Sequence, residues 1–283
     1  MKLIFGGVRG TSAVAQAEFL KFGGETTSVL LEGNGGERIV LDAGTGLRVL
    51  GSRLAMGAAR QEALLLMTHY HLDHLMGLPS FALLYNKAWS VEIAAPRREA
   101  FEPDEVVRRI LSKPFWPIQL DKLHARLKFT TLPAAAGSVR RYHGLDIRWC
   151  AVHHPEGCHA YRVDEPATGA SLVFATDMEW RSSTEVEKRE FLNLCTTPHP
   201  ARLLVMDGQF SRANLAKFKG WGHSAWEDVI EVAQKAGVRE TLITHHAPES
   251  TDTYLAEVEK AARKLWADAA LAHAGMEIAL NGK

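Results

Sequence analysis

The amino-acid sequence predicts an α/β (α+β) fold in which two layered β-sheets are flanked by helices. Short apolar runs of strand length alternate along the chain with segments of helical periodicity. Several of these runs are almost purely aliphatic, as expected for strands that are buried on both faces. No low-complexity segment or long linker marks a boundary, so we predict one domain over residues 1–283.

In the first half of the chain, apolar runs separated by glycine-rich turns predict three strands before the first helix. That helix is predicted at Leu47–Ala59, where apolar residues recur on one face. Ala63–Met67 is entirely apolar and predicts a buried strand that stops abruptly at Thr68. The other elements predicted here are strands at Lys2–Phe5, Ser28–Leu31, Arg38–Leu41 and Val91–Ala94, and helices at Ser80–Leu84 and Pro103–Leu111.

The second half of the chain has a similar organisation, with several strands followed by helices and with polar residues at strand ends. Helices are predicted at Ala225–Ala236 and Tyr254–Ala272. The predicted strands are Leu127–Leu132, Ile147–Val152, His159–Val163, Leu172–Thr176, Leu203–Asp207 and Thr241–Thr244.

Composition narrows the class of protein. Lys plus Arg equals Asp plus Glu, 33 against 33, so the chain lacks the basic surplus of a dedicated nucleic-acid binder, and nucleic acid is not an expected partner. The cysteines, Cys150, Cys158 and Cys195, form no CxxC pair and favour a reducing compartment. Without a signal peptide or a run of about 18 apolar residues, we expect a cytoplasmic protein with no membrane partner.

The strongest chemical signal is the segment Thr68–His74, which holds four potential metal ligands within six residues. On an extended stretch, His69 and His71 point to the same side of the chain. A turn after them would let Asp73 and His74 reach a second position nearby. Imidazole and carboxylate suit Zn²⁺, Mn²⁺ or Fe²⁺, so this strand end predicts ligands for two adjacent divalent metals.

Three later strand ends also carry polar residues. The pair His153-His154 follows one predicted strand, Asp177 another, and the pair His245-His246 a third. In α/β layers, ligands gather beyond the strand ends, so these side chains are expected to meet in one pocket. Side-chain alternation lets only one histidine of each pair face the metals, and spacing alone leaves open which one.

Two further aspartates stand at strand ends. Asp42 precedes a glycine turn, where it could orient a ligand histidine or cap the turn. Asp207 ends the strand Leu203–Asp207, and nothing in its spacing distinguishes it from Asp177.

The HxHxDH pattern of Thr68–His74 is the hallmark of the metallo-β-lactamase superfamily, which the chain resembles along nearly its whole length. Leu41–Gly46 resembles the first motif of that superfamily. His154 matches its third-motif histidine, Asp177 its bridging aspartate and His245 its last histidine. The resemblance implies a four-layer αββα sandwich, with His154 and His245 favoured over their neighbours.

Within the superfamily, the chain resembles a phosphodiesterase-like branch that is related to ribonuclease Z and to PhnP-type cyclic phosphodiesterases. In this branch, the histidine of a Gly-His-Ser element faces the metal centre and acts as general acid, which here is His223. Two features of particular members are missing from the sequence: the basic insertion with which ribonuclease Z clamps tRNA, and the cysteines for an extra structural zinc. The segments that carry this resemblance are Val8–Thr11, Phe22–Gly24, Leu41–Gly46, Phe115–Pro117 and Gly220–Ser224.

The resemblance implies two divalent metal ions per chain. Zinc or manganese is expected, with iron as a further alternative. Asp73, Asp177 and His223 are the expected catalytic residues. A water or hydroxide between the metals would attack phosphorus, and His223 would protonate the leaving alkoxide. The ligands implied are His69, His71 and His154 for one ion, Asp73, His74 and His245 for the other, and Asp177 as a bridge.

The expected function is therefore a phosphodiesterase acting on a small or cyclic, nucleotide-type phosphodiester. The fold also supports hydrolysis of thioesters, lactones or β-lactams, so the fold alone does not decide. A non-catalytic metal-binding sensor is a further alternative, and a ribonuclease for large RNA is disfavoured by the zero net charge. Homodimers are common among the proteins that this chain resembles, and the aromatic residues Phe115 and Trp116 would suit a dimer interface.

Overall fold

The fold described here is that of a computed structural model, which describes residues 1–57, 61–97 and 101–280. The α-helices are α1 Leu47–Gly57, α2 Pro103–Ile110, α3 Glu185–Thr196, α4 Trp226–Lys235 and α5 Asp252–Leu265. The strands are β1 Lys2–Gly7, β2 Ser28–Glu32, β3 Arg38–Leu41, β4 Glu62–Leu66, β5 Ser90–Pro96, β6 Arg126–Leu132, β7 Val139–Tyr142, β8 Leu145–Val152, β9 Cys158–Glu165, β10 Ala170–Ala175, β11 Leu203–Asp207, β12 Glu240–Thr244, β13 Ala269–Leu271 and β14 Glu277–Ala279.

The strands form two seven-stranded sheets. The first has the order β14-β1-β2-β3-β4-β5-β6 and the second the order β13-β12-β11-β10-β9-β8-β7. In the first sheet β3 to β6 are parallel, and in the second β10 to β13 are parallel. The remaining neighbours are antiparallel. Each sheet therefore combines an antiparallel part with a parallel part.

Both faces of each sheet are buried. Leu64 of β4 packs between the two sheets, whereas its neighbour Leu65 packs on the opposite face with side chains of α1 and α2. In the same way, Phe174 of β10 faces the first sheet and Val173 faces the layer of α3, α4 and α5. Alternate residues thus enter different apolar clusters, which is why these strands are continuously apolar. The predicted four-layer αββα sandwich is confirmed.

The strand directions bring the predicted ligands to one edge of the sandwich. β3 and β4 are parallel, and so are β10, β11 and β12. β8 runs in the same direction as β10, because both are antiparallel to β9. The carboxyl ends of these strands lie where His, Asp and Glu side chains accumulate, as expected for a binding site in α/β layers.

The helices differ from the sequence prediction in two places. Residues Ser80–Leu84 form two short 3-10 turns rather than an α-helix, because Phe81 between them has extended backbone. The helix predicted at Tyr254–Ala272 ends at Leu265, since the backbone at Trp266 is extended. Beyond it, Ala269–Leu271 pairs with β12 as a strand.

The other helices lie close to their predicted positions. α1 covers the predicted helix as far as Gly57, and Ala58 and Ala59 lie outside the described residues. Four elements were not predicted: β7, α3, β13 and β14. Within the described parts of the chain, no helix is both long and apolar enough to cross a membrane.

Candidate metal centre

The HxHxDH segment follows directly from the end of β4. The backbone is extended at His71 and then enters a 3-10 turn at Leu72–His74. This change of conformation breaks the strand alternation and turns Asp73 and His74 inward, where both are buried. One strand end therefore presents potential metal ligands at two neighbouring positions.

The first group of ligand atoms, here called the histidine cluster, consists of His69, His71 and His154. Each residue offers a ring nitrogen, and these nitrogens lie within 4.8 Å of one another. His154 Nε2 is 3.1 Å from His71 Nδ1. His69 and His154 are buried, while His71 is half-buried and marks the open side of the cluster.

The second group, the aspartate cluster, consists of Asp73, His74, Asp177 and His245, and all four are buried. His74 Nε2 and His245 Nε2 each lie 3.1 Å from Asp177 Oδ2. The same two nitrogens are 3.3 Å apart. His69 Nε2 lies 3.7 Å from the other oxygen of Asp177, so this carboxylate stands between the two clusters.

These residues fit divalent cations. Four ligands placed tetrahedrally about 2.1 Å from a zinc ion would be separated by about 3.4 Å, close to the spacings above. His69 Nε2 is a buried polar atom that has no hydrogen-bond partner among the described residues. Leaving such a group buried and unsatisfied is costly, and a cation bound to it would remove that cost.

The electrostatics of the aspartate cluster also favour a cation. Burial would raise the pKa of Asp177, but His245 and His74 outweigh this effect and hold the pKa well below its usual range. Burial would lower the pKa of His245, but Asp177 is the main cause that raises it to about 9. The carboxylates therefore stay ionised and draw positive charge into the pocket, and a divalent ion would supply that charge.

The structure brings one histidine of each adjacent pair into the clusters. His154 Nδ1 lies 2.9 Å from the carbonyl oxygen of Gly222, so this nitrogen is the donor and Nε2 is left to face the cluster. Burial lowers the pKa of His154 to about 4, which keeps its ring neutral at pH 7. His153 instead lies 3.6 Å from Glu187 with 40% of its side chain exposed.

His245 lies in the aspartate cluster, whereas His246 points away from it. His246 Nε2 is 2.8 Å from the carbonyl oxygen of Ala272 and is not part of either cluster. The two open alternatives of the sequence therefore resolve in favour of His154 and His245 as the residues in position.

The carboxylate of Asp42 orients the ring of His74 and binds Thr68, which follows β4. This carboxylate accepts hydrogen bonds from the amide and the hydroxyl of Thr68, at 2.7 and 2.8 Å. It also lies 2.9 Å from His74 Nδ1, which directs His74 Nε2 towards the aspartate cluster. Such an outer partner fixes the ring orientation of a metal-binding histidine.

His223 stands beside both clusters. Its ring centroid is 5.6 Å from that of His154 and 5.1 Å from that of His245. His223 Nδ1 lies 2.7 Å from Asp207 Oδ2, so Nε2 is the nitrogen that remains to give or take a proton. Asp207 thus differs from Asp177 in its partner, a long-range contact that the sequence could not reveal.

Glu179 is a site residue to which the sequence analysis assigned no role. Its carboxylate accepts hydrogen bonds from the amides of Gly220 and Gly222, at 3.0 and 2.9 Å, and from the hydroxyl of Ser182. Burial would raise the pKa of Glu179, but these hydrogen bonds outweigh it and lower the pKa. Because Gly222 also holds His154 and precedes His223, Glu179 anchors the loop that positions both histidines.

Comparison with known proteins agrees with this architecture. Residues 37–246 match the family model described as "Beta-lactamase superfamily domain". The ribonuclease Z of Agathobacter rectalis is 22% identical over 273 residues, which cover 82% of this chain and 86% of that protein.

Two solved structures show the same fold. A diphosphatase of the PhnP family superposes with a TM-score of 0.70 and 17% identity, covering 98% of this chain and 96% of that one. The human short-form tRNase Z gives a TM-score of 0.69 and 17% identity, covering 99% of each chain. The family match spans more than half of the sequence, and the chain belongs to the β-lactamase superfamily domain family, a hydrolase family of the metallo-β-lactamase fold.

Proposed function

We propose that this protein is a dinuclear metal-dependent phosphodiesterase that acts on a small phosphodiester. The observation that carries the proposal is the His223–Asp207 pair beside the two ligand clusters. Expulsion of an alkoxide from phosphorus needs a proton donor, and His223, which Asp207 holds beside the clusters, would supply that proton.

In this proposal, His69, His71 and His154 hold one ion, and Asp73, His74 and His245 hold the second, with Asp177 between them. Two divalent cations supply a nucleophile at neutral pH by lowering the pKa of water, and they neutralise charge on phosphoryl oxygens. Zinc, manganese and iron all suit this set of imidazoles and carboxylates.

The residues of the chain then have distinct tasks. Asp42 and the carbonyl of Gly222 fix the rings of His74 and His154, so that each presents Nε2 to its cluster. Asp207 fixes His223 through Nδ1, leaving the proton on Nε2 for the leaving oxygen. General acid help of this kind is worth about 10²–10⁴-fold in rate.

Two observations support a small phosphodiester as the substrate, one on the bond that is cleaved and one on the size of the substrate. One similar protein is named ribonuclease Z and another is named a diphosphatase, and both names denote enzymes that cleave phosphate linkages. The zero formal net charge of the chain favours a small substrate over a large nucleic acid, which would be held by a basic surplus.

The decisive experiment compares two phosphodiesters that differ in the leaving group, one p-nitrophenolate and one an alkoxide from a cyclic nucleotide. We expect the protein, loaded separately with Zn²⁺ and Mn²⁺, to hydrolyse both. His223→Ala should slow alkoxide release by about 10²–10⁴-fold and p-nitrophenolate release far less, because p-nitrophenolate leaves without a proton. Equal losses on both substrates would contradict the role of His223.

The same protein preparation distinguishes the alternative functions, which are hydrolysis of another bond and a non-catalytic sensor. If it holds about two ions per chain yet hydrolyses neither diester, thioesters, lactones and β-lactams are the next substrates, since related sites can serve these reactions. A metal-loaded protein inert to all of them would point to a sensor. A cytoplasmic location and a homodimer remain predictions. The three cysteines are free and buried. The side chain of Phe115, which would suit a dimer interface, is 76% exposed.

A further inference from the structure

A large cleft opens beside the histidine cluster. Its volume is about 950 Å³, and it is lined by His71 and Leu72 of the HxHxDH segment, by Arg97, and by Phe101, Val106 and Arg109 at and near α2. Drug-sized ligands occupy clefts of about 300–1,000 Å³, so a small cyclic phosphodiester alone would leave most of this space unfilled.

His71 lines the cleft, whereas His223 is not among its lining residues. His154 neighbours both His71 and His223, since its ring centroid is 4.9 Å from that of His71 and 5.6 Å from that of His223. If His223 protonates the leaving group, the cleft at His71, which His223 does not line, is open to the substituent that stays on phosphorus. A diester bound across the centre would place one substituent near His223 and the other in the cleft.

The cleft combines apolar surface with positive charge. Leu72 is 64% exposed and Phe101 is 38% exposed, which leaves two large apolar side chains for a ligand to cover. The guanidinium of Arg109 lies 4.9 Å from the ring centroid of Phe101, so charge and aromatic surface are adjacent.

The two arginines of the cleft have little competition from carboxylates. Arg97 is 70% exposed and lies 4.0 Å from Glu102, which is the limit of an ion pair. No carboxylate of the described residues lies within ion-pair distance of Arg109. Among the described residues of the lining, Glu156 is the acidic residue, so this part of the lining carries two guanidinium groups and one carboxylate.

We propose that this cleft binds the retained substituent of the phosphodiester, and that this substituent is a bulky aromatic group with a second negative charge. The inference rests on the proposed function for the identity of the reacting group. The aromatic part covers Leu72 and Phe101, and the second anion pairs with Arg109, for which a planar guanidinium offers two parallel donors.

The test uses three diesters with the same p-nitrophenolate leaving group and different retained groups: methyl, phenyl and para-carboxyphenyl. We expect kcat/KM to rise from methyl to phenyl by about tenfold through apolar burial. The carboxylate should add about tenfold more through its charged hydrogen bonds. Equal kcat/KM for all three diesters would overturn the proposal.

Matched variants assign the selectivity to the cleft. Arg109→Gln should abolish the preference for para-carboxyphenyl over phenyl. Arg108→Gln is the control, since Arg108 is the exposed neighbour on the same helix and does not line the cleft. Phe101→Ala should reduce the preference for phenyl over methyl, whereas the exposed Phe115→Ala should not.

Direct binding separates failure of this inference from failure of the proposed function. Calorimetric titration of the metal-loaded protein with para-carboxyphenyl phosphate and with phenyl phosphate needs no turnover. We expect tighter binding of the carboxylated compound by about tenfold, and loss of that difference in Arg109→Gln. Hydrolysis of all three diesters with no binding difference would refute the cleft proposal alone, and a binding difference without any hydrolysis would refute only the diesterase.

Discussion

The two ligand clusters differ in charge and in exposure. The histidine cluster contains three imidazoles, and one of them, His71, is half-buried beside the cleft. The aspartate cluster is buried throughout and contains two carboxylates, Asp73 and Asp177. Only Asp177 is close enough to serve both, since it lies 3.7 Å from His69 and 3.1 Å from His74.

This difference predicts which of two bound ions would be the more tightly held and which would face the substrate. A divalent cation among Asp73, His74, Asp177 and His245 has its charge balanced by two carboxylates. A cation among the three imidazoles keeps most of its positive charge and lies next to the open cleft. We therefore expect the aspartate cluster to bind its ion more tightly and the histidine cluster to attract the phosphoryl group.

The largest expected effect comes from the carboxylate that both clusters share. Asp177→Asn should lower turnover on the order of 10³-fold or more. Residues that act as a unit have non-additive effects, so loss of the shared carboxylate should remove most of the activity of both clusters. The substitution should also lower the metal content to well under two ions per chain, measured by elemental analysis after gel filtration.

The matched control for this change is Asp146→Asn. Asp146 lies on β8, away from the clusters, and its carboxylate pairs with Arg141 of β7. That variant should retain both turnover and metal. An Asp177→Asn protein that still holds two ions would show that the two clusters are independent, and the comparison above would fail.

The second prediction concerns the order of metal loss. Dialysis against increasing chelator should remove one ion from the wild-type protein first, leaving a one-ion species visible by native mass spectrometry. The His71→Ala variant should resemble this one-ion species. It should hold its single ion as firmly as the wild-type protein holds the ion that chelator removes last. His245→Ala should release its ion about tenfold more readily, because fewer ligands remain in the charged cluster.

The contrary result would be as informative. If His245→Ala retains the more firmly bound ion and His71→Ala the weaker one, then charge balance does not set the order of affinity. Burial and ring orientation would then be the dominant factors.

The smallest expected effect distinguishes the outer partners of the two clusters. Glu179→Gln should weaken the ion of the histidine cluster and reduce turnover about tenfold, the low end for loss of an outer partner. Its carboxylate holds the amides of Gly220 and Gly222, and the Gly222 carbonyl fixes His154. Asp42→Asn should instead weaken the ion of the aspartate cluster through His74.

The control for Glu179→Gln is Glu185→Gln, since the side chain of Glu185 is 89% exposed at the start of α3. It should leave metal content and turnover as in the wild type. Weakening of the aspartate cluster alone by Glu179→Gln would contradict the assignment of its loop to His154.

The fold could be predicted where the signal is local. Strands such as β4 are apolar because both faces are buried, and the HxHxDH segment concentrates four ligands in one place. α3 was missed because its apolar residues are sparse, although the capping box of Thr184 and Glu187 marks its start. β13 and β14, of three residues each, depend on pairing partners that the local sequence does not contain.

The site shows the same division. The ligands follow recognisable strands, and their positions agree with the motifs of the resembling family. Asp207 and Glu179 act through contacts to His223 and Gly222, residues 16 and 43 positions away in the chain. Single acidic residues carry no local pattern, so only the folded structure assigns them a partner.

Three residues of the site have a backbone conformation that favours glycine. Asp42, Asp177 and His245 have φ values of 61°, 56° and 62°, in the left-handed region that costs a non-glycine residue roughly 1–2 kcal/mol. Selection for stability alone would therefore drift towards glycine or asparagine at these three positions. Under the proposed function, a homologue that keeps Asp, Asp and His there retains its chemistry against that drift, and an engineer who replaces them to gain stability would select for an inactive protein.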